Sequence, residues 1–571
     1  MPTNQKPPSG GDAPPTELEK MQERSKGAAG LLMVSILLSR LLGFVRDRII
    51  AHQFGQGFHT DVYNAAFSIP DLFFFLIAGG AISSAFIPVF TDYFSQSKER
   101  EAWHIFSVIL VGMSLLMTLL TILGFVFTPQ LVALMNPGYI PNMPHGFIAS
   151  LGWIVEHTLH GPIPVSQKAA ETIVLSRILL PAQICFMIGS VVIGTHNARG
   201  YFLGQAWGPI IYNFGIIFGG LVLSRSLGIA GLCWGGLLGA IAGNVLLQLF
   251  LLVKYDGRFF AHAVIRHRKH PGVKQVIRLM LPVVFGLSLP YVSTIIGRGF
   301  ASDMGDGPQS AYMNANRLMQ LPLGIFAQST AMALFPLMSA LAAQKKFEEL
   351  QKTVCRGVRQ ILFLTVPSSA LMIVLALPIV QLLLQSGKFL EKDSQQTAQV
   401  LVWFSVGIFA WSAHAILTRG FYALQETWLP VAVGTLVTVI FIPLNIWLKP
   451  RLGVSGLALA TSIAATVHMT SMLVLLHRRL KGLDDVVLAA SCIKILLATA
   501  ITTLFCKITL EAMNRIISHL PIHSVFFQKL AVLGVCASVS GVTYIACALL
   551  LRMEEFKPHR AKLKRLVKRF A

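Results

Sequence analysis

The chain has 571 residues, of which 54% are hydrophobic and 13% are charged, and its mean hydropathy is +0.66. Soluble domains carry about 25% charged residues, so this composition excludes an ordinary soluble protein and predicts an all-α polytopic membrane protein rather than a β-barrel. The formal net charge of +22 does not indicate nucleic-acid binding, because Lys and Arg lie mainly in alternate short loops, where membrane topology and anionic lipids account for them.

Residues 1–26 are polar and rich in Pro and Gly, and we expect them to form a disordered cytoplasmic tail. About fourteen apolar segments follow, each long enough to cross a bilayer as a helix. Loops rich in Lys and Arg alternate with poorer ones, which predicts that both termini are cytoplasmic. The seven cysteines are scattered and form no CxxC pair, so they are interpreted as small buried side chains.

The first span contains several charged residues. Arg40 lies near its middle, and Arg46, Asp47 and Arg48 follow within nine positions. Each charge near the centre of a bilayer costs at least about 2.5–3.5 kcal/mol, so a functional reason is expected. Arg48 can reach the interface by snorkelling. Ser39 lies near Arg46 on one face of the helix.

The longest outer loop, residues 137–167, contains no Lys or Arg. It carries His145, Glu156, His157 and His160, and a metal site is conceivable there. The spacing matches no known ligand set, however, so solvated side chains are the favoured interpretation and no metal or other cofactor is predicted.

The chain is internally duplicated. The motif Ala198-Arg199-Gly200-Tyr201-Phe202 recurs as Thr418-Arg419-Gly420-Phe421-Tyr422, and Leu227-Gly228-Ile229-Ala230-Gly231 recurs as Leu452-Gly453-Val454-Ser455-Gly456. Six spans per repeat give both copies the same orientation and place a transport path between them. The predicted segments are an N-lobe of spans 1–6 (27–256), a C-lobe of spans 7–12 (257–482), spans 13 and 14 (483–553) and a basic tail (554–571).

Charged residues also mark the second span of the first repeat and the first two spans of the second repeat. Asp61 opens span 2, Arg298 lies toward the outer end of span 7, and Arg317 lies inside span 8. These residues could form ion pairs that lock helices together, with Asp47 and Asp61 each neutralising one arginine. Because arginines would remain in surplus, binding of an anionic substrate with phosphate or pyrophosphate oxygens is favoured.

No Walker A sequence or recognisable catalytic set occurs in the sequence, so the chain is interpreted as a transporter and not an enzyme.

The motif Ser39-Arg40-x-x-Gly43-x-x-Arg46-Asp47, the later Ile69-Pro70-Asp71-Leu72, and the run Asn316-Arg317-Leu318-Met319-Gln320-Leu321-Pro322 closely resemble the MurJ/MviN lipid II flippases. The resemblance implies a member of the multidrug/oligosaccharidyl-lipid/polysaccharide exporter superfamily in the bacterial inner membrane. Such a protein carries lipid II, the undecaprenyl-pyrophosphate-linked peptidoglycan precursor, to the outer leaflet by alternating access. The family-critical positions map to Ser39, Arg40, Arg46, Asp47, Asp61, Ser310 and Arg317.

The same resemblance implies that the arginines hold pyrophosphate and that spans 13 and 14 form a groove for the lipid tail. The sequence departs from some members at Ser68, Phe74 and Gly79, where they carry Lys, Arg and Glu, and at Asn316, where they carry an acid. The number of cavity cations therefore differs. Export of another polyprenyl-linked glycan or of a drug, and a scaffold that binds envelope-synthesis proteins, remain alternatives.

Overall fold

The computed structural model describes residues 17–75, 81–144, 147–161, 163–482, 484–518 and 525–556. Every regular element in these ranges is helical, and only one isolated bridge, between Ser386 and Phe389, interrupts the pattern. The first sixteen residues, the basic tail from residue 557, His145 and Gly79 lie outside the described residues, so the predictions made for them stay predictions.

The α-helices are numbered in chain order. They are α1 (Glu17–Phe54), α2 (Phe58–Ala66), α3 (Ser68–Phe73), α4 (Ala81–Ser95), α5 (Glu99–Val126), α6 (Thr128–Met135), α7 (Phe147–His160), α8 (Gln167–Leu179), α9 (Ala182–Ala198), α10 (Leu203–Phe218), α11 (Ser224–Leu227), α12 (Ala230–Ala240), α13 (Leu247–Lys254), α14 (Ala261–Arg266), α15 (Pro271–Ala301), α16 (Pro308–Pro322), α17 (Gln328–Ala343), α18 (Phe347–Val374), α19 (Ala376–Leu383), α20 (Glu391–Ser405), α21 (Ile408–Ala423), α22 (Trp428–Leu452), α23 (Val454–Leu480), α24 (Asp485–Ser518) and α25 (Val525–Leu550).

Ten helical stretches in the described part are long and apolar enough to cross a membrane. An eleventh is formed if α20 and α21, which meet at an angle of 42°, are one bent span. The remaining predicted spans fall on α1, on α2–α4 and on α15, which this count does not include. The all-α membrane architecture is confirmed, and the number fourteen is consistent with it but stays a prediction.

The internal duplication is visible in the helix bounds. Both α5 and α18 have 28 residues, and both α6 and α19 have eight, with each second copy beginning 248 positions after the first. The repeated glycines also match, because Gly228 has φ 56° and ψ −139° and Gly453 has φ 59° and ψ −140°. The two repeats therefore share local backbone geometry as well as sequence motifs.

The described chain divides into two compact units that do not coincide with the two sequence repeats. Unit 1 comprises Met1–Ile49, Ala66–Leu131 and Thr172–Ser288, and unit 2 comprises Ile50–Ala65, Val132–Glu171 and Leu289–Ala571. Two segments of the first repeat, Ile50–Ala65 and Val132–Glu171, thus belong to unit 2.

In unit 1, close helix packing depends on glycine. A Cβ atom on Gly215 would lie 2.5 Å from the carbonyl oxygen of Gly235, and one on Gly219 would lie 2.3 Å from that of Gly231. The backbones of α10 and α12 therefore approach as closely as small-residue motifs allow in membrane proteins.

In unit 2, the principal core lies among α17, α18 and α21–α23, and buries Phe421, Phe441 and Met472. The last two helices dock on α18. There the hydroxyl of Tyr544 donates a 2.7 Å hydrogen bond to the carbonyl oxygen of Phe363. Burial of this apolar surface and satisfaction of its polar groups fix α24 and α25 against the second repeat.

Residues 137–167, predicted as an outer loop, are more regular than a loop. They contain a 3₁₀ turn, Pro137–Tyr139, and the helix α7, in which the ring of His157 stacks on Trp153 with centroids 3.8 Å apart. The apolar residues that recur through this segment favour a helix over an open loop. Helix α1 likewise begins at Glu17 and so includes the last ten residues of the predicted disordered tail. That stretch is rich in Glu, Lys, Met and Gln, which are good helix formers.

Candidate functional site

A buried carboxylate organises the candidate site in unit 2. Asp61, on α2, is fully buried, and its two oxygens accept four hydrogen bonds. Oδ1 accepts from the backbone N–H and the hydroxyl of Ser310, at 2.8 and 2.6 Å, and Oδ2 accepts from the N–H of Gly307 at 2.8 Å. Helix α16 begins at Pro308, so Asp61 caps the N-terminus of α16 from another helix, where a negative charge is stabilised.

The cation that balances Asp61 is a lysine. Lys168, on α8, donates to Asp61 Oδ2 at 2.9 Å, to Asp306 Oδ1 at 2.8 Å and to the carbonyl oxygen of Gly305 at 3.1 Å. Asp61 therefore pairs with a lysine, where the sequence had left an arginine as a possible partner. Helix α8 places Lys168 beside a carboxylate that already accepts hydrogen bonds from a helix N-terminus. The ammonium group supplies the positive charge that balances this carboxylate.

The network continues from Ser310 to Arg317. Asn64, one turn after Asp61 on α2, donates to the Ser310 hydroxyl at 3.3 Å and accepts from Arg317 Nη2 at 2.8 Å. The predicted site residues Asp61, Ser310 and Arg317 are thus joined in one chain of hydrogen bonds. Such a chain orients the guanidinium group of Arg317, because its amide partner is itself held by Ser310.

A second polar group lies beside this network. The hydroxyl of Tyr139 donates to the side-chain oxygen of Gln309, whose amide donates to Asn136 at 2.9 Å. Burial, followed by the nearby carboxylates of Asp61 and Asp306, raises the pKa of Tyr139 well above its ordinary value. Tyr139 therefore keeps its proton and remains a hydrogen-bond donor.

Two further predicted residues are buried near the same end of unit 2. Arg298, on α15, places Nε 3.0 Å from the sulfur of Met313, and its carbonyl oxygen lies 3.5 Å from the amide of Gln309. Asn316 accepts a 3.2 Å hydrogen bond from Gln320. Arg298 therefore packs against α16 near the Asp61 network.

In unit 1, the predicted residues of the first span surround Arg46. Its Nε and Nη2 donate to Asp47 Oδ1 at 3.0 and 2.9 Å, and its Nη1 donates to Asn213 on α10 at 3.1 Å. Asn213 in turn lies 3.4 Å from the Ser39 hydroxyl. Ser39, Arg46 and Asp47 are thus brought together, with Asn213 as the residue that joins α1 to α10.

Arg40 is half-buried on the same helix. It makes no side-chain hydrogen bond or ion pair to any residue that the structure describes, whereas Arg46 and Arg48 have partners there. A guanidinium group in this setting can accept an anionic ligand without first breaking a protein ion pair.

The sequence matches a known family over most of its length. The family is described as lipid II flippase MurJ, and the match covers residues 50–531. A curated relative from Buchnera aphidicola (subsp. Acyrthosiphon pisum), a probable lipid II flippase MurJ, is 30% identical over 519 residues, which cover 90% of this chain and 95% of the relative. The chain belongs to the lipid II flippase MurJ family. A further member, the lipid II flippase MurJ of Burkholderia cenocepacia, is 27% identical over 79% of this chain and 84% of its own length.

Solved structures support the same fold. A MurJ structure titled as an inward closed conformation superimposes with a TM-score of 0.69 at 22% identity, covering 91% of this chain and 99% of that one. An inward-facing multidrug-resistance MATE transporter of the MOP superfamily gives 0.64 at 13% identity, over 78% and 94% of the two chains. This MurJ family member is therefore a multi-pass inner-membrane protein with the fold of the MOP superfamily, and its family is one of transporters rather than enzymes.

Three polar residues at the site were not predicted. Lys168 follows the segment 137–167, which contains no Lys or Arg, so this isolated cation could have been noticed in the sequence. No comparable sequence signal identifies Asn64 and Asn213. An amide side chain in an apolar helix often hydrogen-bonds to the backbone of its own helix and not to a residue of another helix.

Proposed function

We propose that this protein carries lipid II from the inner to the outer leaflet by alternating access, binding the pyrophosphate group with cationic side chains. The observation that carries this proposal is the arrangement of the arginines in a chain of the MurJ family. In unit 1, Arg40 has no described partner and Arg46 is oriented by Asp47 and Asn213. Oriented guanidinium groups suit phosphate oxygens, which accept paired hydrogen bonds.

In unit 2, the distribution of charge supports the same proposal. Asp61 is committed to Lys168 and to the N-terminus of α16, so it does not pair with Arg298 or Arg317. Arg317 donates to the amide of Asn64, and this neutral partner orients the guanidinium group without cancelling its charge. Cations in a low-dielectric setting attract a multiply charged anion more strongly than they do in water.

The Asp61 network also supplies the contacts that a change of access would have to break. It ties α2 and α8, which are first-repeat helices, to the connection before α16 in the second repeat. These ion pairs and hydrogen bonds are short-range, so a small separation of the helices would release them together. We infer that the network holds the outer end of the transporter shut until substrate has bound.

The decisive experiment is depletion of the protein combined with an assay for the leaflet in which lipid II resides. Arg46→Ala and Arg317→Ala should express and insert but leave lipid II in the inner leaflet, with loss of growth when either is the sole copy. Arg451→Ala is the matched control, since Arg451 is exposed and donates to the carbonyl oxygen of Trp447 in its own helix. Normal growth of both test variants would contradict the assigned roles.

Two other outcomes would identify different functions. Depletion without an inner-leaflet accumulation of lipid II would instead favour export of another polyprenyl-linked glycan or a drug. Cysteines placed at Arg40 and Ser310 that stay unreactive from both sides of the membrane would indicate a scaffold without a transport path. The proposal includes no catalytic step.

The proposal also assigns the orientation of the chain in the membrane. Both termini lie in the cytoplasm, since the Lys- and Arg-rich connections belong to that side. Helices α24 and α25 provide a groove for the polyprenyl tail, and anionic lipids bind the basic connections. Cysteine labelling at Lys346 from each side of the membrane tests this orientation.

A further inference from the structure

A cavity of about 470 Å³ lies in unit 1 at the start of α5, and none of the proposed transport residues lines it. It is bounded by the turn between α4 and α5, by the first turns of α5 and by α14 in the connection between the repeats. Its lining combines cationic, imidazole and carboxylate side chains. These residues are Ser97, Lys98, Glu99, Arg100, Glu101, His104, His262, Arg266 and His267.

The first turn of α5 provides unused hydrogen-bond donors. The helix has 28 residues, and its N-cap residue, Lys98, makes no side-chain capping bond. The first N–H bonded within this turn belongs to Ala102, and the N–H groups of residues 99–101 have no acceptor among the described residues. Such a terminus carries a partial positive charge and binds anions through its N–H groups.

A buried side chain points independently to a ligand at the same place. His104 is 6% exposed and lines the cavity, yet its Nε2 has no hydrogen-bond partner in the described structure. Its ring is held by His267, with centroids 4.2 Å apart, and by Phe260 at 4.9 Å. A buried polar nitrogen held in this way is costly unless a ligand or water satisfies it.

The charges at the rim favour an anion. Arg100 and Arg266 are exposed and can turn toward the cavity, and Lys98 adds a third cation. Of the two carboxylates, Glu101 faces His270, with Oε2 3.7 Å from Nε2, and Glu99 is exposed on the first turn. The wider connection, from Lys254 to Arg278, is strongly basic.

The second repeat lacks this combination. At the equivalent start of α18, 248 positions later, Glu348 stands in place of Arg100 and Lys352 in place of His104. At the start of α5, two further imidazoles line the cavity, that of His262 in α14 and that of His267 directly after it. The two helix starts share backbone geometry, so the difference lies in the side chains that line the first one.

We propose that the start of α5 is a binding site for a phosphate-bearing anion, held by the first-turn N–H groups, His104, Arg100 and Arg266. The ligand is either a free phosphate compound or the phosphodiester headgroup of a lipid, because both present the same oxygens. Bound there, it joins α5 to α14 and so fixes the connection between the repeats. This site does not depend on the proposed transport function.

The test uses the purified full chain and the variants Arg100→Gln, Arg266→Gln and His104→Gln, with Lys346→Gln at the second repeat as the matched control. Inorganic phosphate is titrated against chloride at equal ionic strength, with calorimetry and the unfolding temperature as readouts. Nanodiscs of phosphatidylcholine with or without phosphatidylglycerol, followed by native mass spectrometry, test the lipid source. Arg100 and Arg266 are exposed, so their variants test the site even if the His104 variant misfolds.

Loss of one charge-assisted hydrogen bond should weaken binding about tenfold. Phosphate binding that falls in the Arg variants and not in the control supports a free phosphate ligand. Retention of phosphatidylglycerol by the wild-type chain alone supports a lipid ligand. The proposal is overturned if the wild-type chain neither binds phosphate nor retains phosphatidylglycerol, or if the Lys346 variant loses binding as much as the Arg variants do.

Discussion

Replacement of Lys168 by methionine is the sharpest test of the Asp61 network. Methionine keeps most of the apolar stem of lysine but removes the ammonium group that lies 2.9 Å from Asp61. Asp61 is fully buried, so its charge would be left with only the N–H groups of Gly307 and Ser310 and the Ser310 hydroxyl.

Removing one partner of a buried ion pair typically destabilises a protein by about 3–5 kcal/mol. We expect about 3 kcal/mol for Lys168→Met, the lower end, because three donors remain on the carboxylate. The double variant Lys168→Met with Asp61→Asn should be more stable than Lys168→Met alone, since no charge is then buried without a counter-charge. This difference separates an electrostatic role of Lys168 from simple packing.

The assay is denaturant unfolding in mixed micelles, with reactivity of a cysteine at Ser310 toward an impermeant reagent as a second readout. Lys388→Met is the control, because Lys388 is exposed. Lys168→Met should also raise the reactivity at position 310 from the outside, as the closed end loosens. An unfolding free energy within about 1 kcal/mol of the wild type, with unchanged reactivity, would refute this reasoning.

Three other substitutions have outcomes that local structure determines. Asn213→Ala removes the acceptor 3.1 Å from Arg46 and should impair lipid II flipping with little change in expression, as measured by the leaflet assay. Arg359→Gln breaks the buried pair with Glu555, 2.6 Å away, and should expose the end of α25 to protease, whereas the wild type resists cleavage there. Gly228→Ala should destabilise the fold by about 1–3 kcal/mol, because φ 56° with ψ −139° is a conformation that residues other than glycine rarely adopt. An alanine at the helical Gly43, which has open space around it, should not destabilise the fold, and thermal unfolding of both variants tests the difference.

The sequence predicts the residues that are anomalous in a membrane better than it predicts their partners. Arg46 and Asp47 are conspicuous because charge is costly in an apolar segment, and their contact follows from their adjacency. Lys168 lies 107 positions from Asp61, so their pairing depends on the relative register of α2 and α8. Local patterns do not encode that register, which is why an arginine seemed the natural partner.

The segment 137–167 shows a similar limit. Its lack of Lys and Arg distinguishes it from the basic connections in the sequence, but it does not distinguish a loop from a short helix such as α7. The duplication, in contrast, is visible in the sequence, because its motifs recur in the same order in both halves. The structure adds that helices α5 and α18 have the same length.

The composition of unit 2 has a consequence for alternating access. Two first-repeat segments, Ile50–Ala65 and Val132–Glu171, belong to it, and both reach the α15–α16 connection through polar contacts. Asp61 and Lys168 bind Gly307 and Asp306, and the N–H of Gly138 donates to Ser302 at 3.0 Å. Apolar residues of the same segments, Val62 and Tyr139 among them, are also buried, and separating apolar packing would expose surface to water at a cost that grows with area. The hydrogen bonds and the buried charges, in contrast, can be replaced one for one by water or substrate, so the polar contacts at this connection need only a local exchange of partners.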